Sequence, residues 1–510
     1  MSRSLKHIAR LLGLARILAR HDVLFLLERL EIAAPVVFLA RLFSRSASGR
    51  PGQRLAAALQ QAGPSFIKLG QALSTRSDLL GEQFSADLSE LQDQLPPFPG
   101  AQARAIIADE FGKSIDELFS RFDDTPVAAA SIAQVHFAIT HDGAEVAVKV
   151  LRPGIEDAFR RDIDLLMWAA SLVEAAKPEY RRLKPLESMR TLAATVEMEM
   201  DLRFEAAAAA ELAENFEGDK DFSVPAIDWT LTGKRVLTTE RVHGIPIDDI
   251  EALRAAGHDP KQILEKSVTA FFFQVFRDGF FHADMHPGNM FVCADGSLKA
   301  VDFGIMGRLD VKTRRHLGEL LVAFLTRDFR RAAEVHFEAG WIPAGESVDS
   351  FTQACRSIAE PILDLPQNEI SIARLLGQLF AITKTFNMES QPQLLLLQKT
   401  MLTAEGTGRK LAPEANMWFL ARPLIEDWVV KHLGPEARIL EAVSDTLTML
   451  RRLPQLFDNL EKGAAVLAEG RLRLHPETVR ALRQKGLGGG NWALLAAAAA
   501  LGAALFALFS

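Results

Sequence analysis

The chain has 510 residues, 48% of them hydrophobic and 24% charged, with a net charge of −7. That balance suits a globular protein of two or three domains and argues against a nucleic-acid binder, which needs a basic surface to meet phosphates. The only cysteines, Cys293 and Cys355, lie outside any CxxC pair, which implies neither a disulfide framework nor a zinc site and fits a reducing compartment.

At the N-terminus Ile8, Leu11, Leu12, Ala15 and Leu18 share one helical face, and five basic residues, Arg3, Lys6, Arg10, Arg16 and Arg20, precede the first acid, Asp22. Such a helix either lies on an anionic membrane or packs on the protein's own core. The arginines that interrupt it argue against a signal peptide. Residues 44–54 read as a linker, and 55–92 have helical periodicity up to the breaker Pro96-Pro97. Between 132 and 151 the apolar residues alternate around His141-Asp142-Gly143, which predicts a β-hairpin. A long Ala- and Glu-rich helical region spans 155–217, and 234–242 reads as another strand. From about 260 onward helix dominates, apart from short strands around 290–301. The charge-free run Trp492–Ser510 would span roughly 28 Å as a helix, close to the hydrocarbon thickness of a bilayer. Arg471, Arg473, Arg480, Arg483 and Lys485 before it, against the single acid Glu477, place the preceding domain in the cytoplasm.

The strongest motif is His282-Ala283-Asp284-Met285-His286-Pro287-Gly288-Asn289, followed by Val301-Asp302-Phe303-Gly304. This order and spacing resemble the catalytic loop and DFG segment of protein kinases. Phosphoryl transfer needs Mg²⁺, a hard cation that prefers oxygen ligands. Asp302 and Asn289 offer those oxygens, and Asp284 can orient or deprotonate the attacking hydroxyl or water. Lys149, ending Val146-Ala147-Val148-Lys149, looks like the strand lysine that contacts the α- and β-phosphates. Its carboxylate partner is to be sought among Glu197, Glu199, Asp201 and Glu205, with Glu199 and Asp201 pointing opposite ways if the helix is continuous. His286 has no second ligand at metal spacing and reads as a loop-stabilising residue.

Two features depart from ordinary kinases. The glycine-rich phosphate loop is replaced by Val127-Ala128-Ala129-Ala130-Ser131-Ile132-Ala133-Gln134-Val135-His136, in which alanine restricts positive φ and stiffens the loop. A charged helical stretch, Asp310 to Glu319, follows Gly304 closely, leaving no long activation segment. Upstream lies Lys68-Leu69-Gly70-Gln71, in an apolar stretch where a lysine needs an anionic partner. Nucleotide phosphates or the acids around Glu199 and Asp201 are the candidates.

The alanine loop, Lys68–Gln71, Glu199–Asp201, the catalytic loop and DFG, taken together, resemble the UbiB family of atypical kinase-like proteins (the ADCK group of eukaryotes) over about residues 60–310. The resemblance implies an α+β, bilobal, protein-kinase-like fold with a small β-containing N-lobe and a largely helical C-lobe. It implies ATP and Mg²⁺ as cofactors and a role in ubiquinone biosynthesis at the inner (cytoplasmic) membrane. Its catalytic residues would be Asp284, Lys149, Asn289, Asp302 and Lys68. ATP would be held by Ala128, Ala129, Ala130, Ser131, Ile132, Ala133, Gln134, Val135, His136, Lys149 and Glu199, and Mg²⁺ by Asn289 and Asp302. Partners would be membrane lipids, polyprenylphenol or quinone precursors and ubiquinone biosynthetic enzymes, with no nucleic acid; a homodimer stays open. The hydroxylase label that bacterial relatives often carry reads as pathway membership, since neither a flavin fingerprint nor an iron triad is present. A nucleotide-sensing scaffold with little turnover is the alternative. On this basis the chain divides into N-terminal helices and linker, with membrane-surface contact left open (1–54), a helical extension (55–125), the N-lobe (126–243), the C-lobe (244–470), a basic juxtamembrane segment (471–491) and a transmembrane helix (492–510). Family members often carry two C-terminal spans, and this chain shows one run.

Overall fold

The computed structural model describes residues 3–433, with breaks at 25–37, 39, 45–47, 75–81, 90, 92–94, 177–184, 364–370, 382–384, 387, 389–390 and 416. The chain divides into Met1–Val429 and Val430–Ser510. The basic segment 471–491 and the expected anchor 492–510 lie outside the described residues. Among the described residues no helix is long and apolar enough to cross a membrane.

The extension is built from α1 (Arg3–Arg20), α2 (Pro51–Ala62), α3 (Pro64–Ser74) and α4 (Glu82–Ser89). Ala15 and Leu18 of α1 share a core with Leu55, Leu59, Phe66, Ile67 and Leu88, so the apolar face of α1 is turned onto the protein. In α3, a Cβ on Gly70 would meet methyl groups of Leu91 and Leu59 at 2.4 and 2.8 Å, and glycine lets the helices approach that closely.

The N-lobe begins with α5 (Gly100–Phe111) and α6 (Ile115–Leu118), then β1 (Arg121–Phe122), β2 (Ala128–Ala129), β3 (Ala133–Ile139) and β4 (Glu145–Leu151). The expected hairpin is β3–β4, paired antiparallel with Val135 opposite Lys149. Its turn runs through Gly143 at φ +88, a backbone shape that glycine adopts without steric cost. Alternation then sorts the faces. Val146, Val148 and Val150 are buried against Ile107, Ile115 and Phe119, leaving Lys149 on the opposite face.

The helical region 155–217 is interrupted rather than continuous. It comprises α7 (Ile155–Ala176), α8 (Pro185–Glu199) and α9 (Leu202–Asn215). The break after Glu199 has a local cause: Asp201 caps α9, its carboxylate accepting the Arg203 N–H at 3.2 Å. Then follow β5 (Phe222–Ser223), β6 (Val236–Glu240) and β7 (Ile245–Pro246). The N-lobe sheet has the order β1-β3-β4-β6, with β2 on β3.

The C-lobe opens with α10 (Ile250–Ala255) and α11 (Pro260–Phe272), followed by β8 (Phe280–His282), β9 (Met290–Val292), β10 (Leu298–Ala300) and β11 (Met306–Arg308). It continues with α12 (Val311–Leu325), α13 (Phe329–Glu338), α14 (Val348–Leu363), α15 (Ile372–Ala381) and α16 (Pro392–Leu411). Strand content exceeds the sequence expectation: beside the sheet β5-β10-β9-β7, β8 pairs with β11. These two three-residue strands are too short to show a period. The helices enclose one apolar core that includes Phe271, Phe281, Leu320, Phe324, Leu397 and Met401. The result is a small β-containing lobe and a larger, mainly helical one.

Candidate active site

The catalytic loop is set by how the chain leaves α11. Phe273–Asp278 form a π-helical turn ending at Gly279, φ +67, where a Cβ would lie 2.4 Å from the Leu309 carbonyl oxygen. Only glycine fits a corner both left-handed and crowded. Such turns recur at functional sites, and here Gln274 Oε1 accepts the His282 N–H at 2.9 Å. His282 is fully buried. Its Nδ1 accepts the Asp284 N–H and its Nε2–H donates to the Val301 carbonyl, both at 3.1 Å. That pattern is the neutral imidazole, and burial holds its pKa below the ordinary histidine value. One ring therefore ties the catalytic loop to the DFG segment. The Val301 N–H to the Asn289 carbonyl (2.9 Å) and the β8–β11 ladder, with His282 opposite Met306, complete the tie.

Three charged groups meet at the lobes' common face. Lys149 Nζ lies 2.7 and 3.0 Å from the two carboxylate oxygens of Glu205 and 3.0 Å from Asp302 Oδ1. Burial alone pushes the Lys149 ammonium down, but Asp302 and Glu205 outweigh it and its pKa lies well above the usual lysine value. The Lys149 charge holds Asp302 well below the usual carboxylate range, with Lys68 contributing in the same direction. Glu205 is pushed up, by burial first and by the neighbouring Asp302 charge, against the pull of Lys149. Asp302 itself has φ +62, a left-handed conformation uncommon outside glycine but open to aspartate, and such conformations concentrate at functional sites.

Asp284 and Asn289 share the loop that His282 anchors. Asn289 Nδ2 donates to the Asp284 carbonyl at 3.0 Å, which leaves the Asn289 amide oxygen as the acceptor end. His286 stabilises this loop: its Nδ1 accepts the Gly288 N–H at 3.0 Å and caps the short 3₁₀ turn Pro287–Asn289. Asp284 Oδ1 faces the Lys399 ammonium of α16 at 3.4 Å.

Within the alanine loop only part of the stretch faces Lys149. Val135 stands opposite it across the hairpin, whereas the side chains of Gln134 and His136 are buried on the other face. Gln134 clasps the main chain of Phe98, accepting at 2.9 Å and donating at 3.1 Å, and His136 reaches the Asp123 carbonyl at 2.8 Å. Ser131 is also buried. Ala128 and Ala129 pair with Val135 and Gln134, and the Ala130 N–H donates to the Ala133 carbonyl. The loop is clamped from behind by Arg152, which donates to the Ala130 carbonyl at 2.9 and 2.7 Å and to the carbonyls of Pro96 and Leu95.

The structure chooses among the acids that the sequence leaves open, giving Glu205 to Lys149 and Glu199 to Lys68. Glu199, expected as a nucleotide-site residue, ends α8 and pairs with Lys68 Nζ at 2.9 Å. Both side chains are largely enclosed. Asp201 is spent on its cap and on Arg203 (2.7 Å). The break between α8 and α9 re-phases everything downstream, which is why Glu205 is the acid that meets Lys149. Neither Lys399 nor Arg152 is legible as a site residue from the sequence alone. The one signal for Lys399 was a lone cation in the mostly apolar stretch Leu394–Leu402 of α16, and for Arg152 there was none beyond its place after the lysine strand.

The ABC1 atypical kinase-like domain matches residues 90–336, and the UbiB helical domain matches 355–416. A Marinobacter nauticus protein named "Probable protein kinase UbiB" is 43% identical over 458 residues, covering 88% of this chain and 84% of its own. The chain belongs to the UbiB family. Relatives of the same name from Azotobacter vinelandii (45% identity, 79% of this chain, 76% of theirs) and Pseudomonas aeruginosa (44%, 81% and 78%) agree. In this UbiB chain Lys149, Glu199, Glu205, Asp284, Asn289 and Asp302 fall within the kinase-like match, Lys399 within the helical match, and Lys68 ahead of both.

Proposed function

We propose that this UbiB-family protein binds ATP and either hydrolyses it or passes its γ-phosphoryl group to a small acceptor, in support of ubiquinone biosynthesis. The observation that carries the reading is the Lys149–Glu205–Asp302 cluster joined through His282 to Asp284 and Asn289. Lys149 would hold the α- and β-phosphates. The Asp302 carboxylate, half-exposed, and the Asn289 amide oxygen are two hard oxygen donors. Two such donors suit Mg²⁺, which completes its shell with phosphate oxygens and water; among the described residues no group of three or more His, Cys, Asp or Glu is gathered to hold a metal without them. Bound there, Mg²⁺ would supply charge neutralisation across the phosphates. Asp284 would accept the proton of the attacking hydroxyl or water as the bond to the γ-phosphorus forms and the bond to the leaving ADP oxygen breaks. The alanine loop, held by Arg152, and Lys68, held by Glu199, support confinement of the site to water or a small acceptor rather than a protein.

The substrate class that fits the family is the membrane-held polyprenylphenol precursor, made accessible to ring-modifying enzymes such as hydroxylases. The proposed location is the cytoplasmic membrane with the catalytic domain in the cytoplasm, supported by the sequence of 471–510. Phosphate release from the membrane-reconstituted protein, with and without a phenolic lipid analogue, tests the reading. Stimulated, Asp284-dependent release is expected. Tight ATP binding with no release under either condition would favour a nucleotide-sensing scaffold instead.

A further inference from the structure

Helix α16 brings a second cation to the catalytic loop. Leu397 and Met401 are buried in the C-lobe core, and they set the rotation of the helix about its axis. Lys399 and Thr400 are thereby turned to the loop. The buried Thr400 hydroxyl lies 3.1 Å from the Ala283 carbonyl and 2.9 Å from the Leu396 carbonyl of its own helix, its one proton shared between them, and Lys399 Nζ lies 3.4 Å from Asp284 Oδ1. Consecutive residues of one helix thus address the main chain and the carboxylate of consecutive loop residues. Further along, the Ser371 hydroxyl donates to Glu405, fastening α16 to the start of α15. Asp284 Oδ2 points elsewhere, with His286 Nε2 at 3.8 Å. The Lys399 and Asp284 side chains are 32% and 31% exposed. An ion pair so open to solvent contributes little to stability, so holding the fold together is a poor account of it.

We infer that Lys399 is a positioning residue for Asp284. Its ammonium donates to Oδ1 and fixes the carboxylate plane, leaving Oδ2 to receive the proton. The inference rests on the phosphoryl-transfer reading above. In that step the acceptor oxygen bonds to the γ-phosphorus, its proton passes to Oδ2, and the electron pair of the broken phosphorus–oxygen bond leaves with ADP. The helical domain then acts on the chemistry directly, because it sets the direction in which the base can accept.

The test is steady-state ATP turnover by the full-length reconstituted protein, with Lys399→Met, Lys399→Arg, Asp284→Asn and the double variant Asp284→Asn/Lys399→Met. Lys399→Met should lower kcat by about 10- to 100-fold, the loss expected for a hydrogen bond to a charged group. The KM for ATP should stay within about twofold, since Lys399 touches no proposed phosphate ligand. Lys399→Arg should recover part of kcat, and the thermal midpoint should hold in both. Against Asp284→Asn, adding Lys399→Met should cost nothing further, because the residue acts through that carboxylate. Losses that multiply in the double variant, a raised KM with kcat intact, or wild-type kcat in Lys399→Met would each overturn the assignment. Wild-type turnover in Asp284→Asn would instead overturn the phosphoryl-transfer reading itself.

Discussion

Glu205 holds Lys149 with both carboxylate oxygens, at 2.7 and 3.0 Å, across 56 residues of sequence. The lysine is thereby fixed before any nucleotide arrives, and its second carboxylate neighbour, Asp302, is drawn to the same point. Glu205→Gln should raise the KM for ATP about tenfold or more, the scale of a lost charge-assisted hydrogen bond. Glu199→Gln should leave nucleotide affinity much closer to wild type, because Glu199 serves Lys68. Nucleotide titrations of the two variants side by side check this, and the reverse ranking would refute the assignment of the acids.

Asp302→Asn removes a carboxylate that the Lys149 charge keeps ionised. Mg²⁺-dependent turnover should fall on the order of 100-fold or more, as expected when a preorganised charge in the site is lost. Thermal unfolding should show the fold retained. Unchanged turnover and unchanged ATP affinity in Mg²⁺ would remove Asp302 from the metal site.

How much of this could be read beforehand depends on distance along the chain. His282–Asn289 and Asp302 are contiguous motifs whose chemistry is written in residue type and spacing, and the hairpin that carries Lys149 follows from alternation around Gly143. Local sequence narrows the partner of Lys149 to four acids and no further. An argument from a continuous helix fails when Asp201 caps a new one, since each break resets the phase by an amount that local periodicity does not encode. Gln134 and His136 lie inside the loop motif, and that alone makes them candidate nucleotide contacts. The alternation of β3 sends them to the face of Phe98 and Asp123 instead. Lys399 is out of reach for the same reason, since only tertiary packing lays α16 beside Asp284.

The alanine loop is stiff for two reasons, its residue type and the Arg152 clamp on the Ala130 carbonyl. Ala129→Gly or Ala130→Gly should shift nucleotide affinity severalfold, about the effect of glycine's extra backbone freedom, and should favour autophosphorylation. Arg152→Met should act in the same direction, and the combined variant should exceed either. Calorimetric nucleotide binding with a radiolabelled phosphate assay reads both. If every one of these variants binds and transfers as wild type does, loop stiffness does not control the reaction.

Lys68→Ala leaves Glu199 enclosed without its partner, and Lys68→Arg keeps the charge but not the compact ammonium. Both should alter the ratio of ATP hydrolysis to autophosphorylation and lower ubiquinone in cells that carry only the variant. Wild-type quinone content together with wild-type turnover in both variants would sink a functional role for the pair.

His336 offers a pH test of stability far from the site. It is buried, its Nδ1–H donates to the Ala332 carbonyl at 2.7 Å, and Trp341 and Phe351 flank the ring. Burial pushes its pKa down to about 4 from an ordinary 6.5. The fold therefore prefers the neutral ring, while the unfolded chain takes up a proton first as pH falls. The stabilisation is complete above about pH 6.5 and is lost between there and pH 4, up to roughly 3 kcal/mol by linkage. His336→Phe should flatten that part of the profile relative to wild type. Parallel thermal-midpoint curves from pH 7 to 4.5 would show that His336 does not contribute.

Gly70 and Lys68 stand two residues apart on α3, and the Leu59 and Leu91 methyls fill the space that any larger residue at 70 would need. A swelling of that contact, or loss of the extension altogether, moves an ammonium whose field reaches Asp302. The homology limits of the kinase-like domain, 90–336, therefore do not delimit the smallest piece able to keep the site's charge in balance. Excised at those limits, the piece would retain every motif from the alanine loop to DFG and still carry Glu199 and Asp284 without their counter-ions, Lys68 and Lys399, one from each flank.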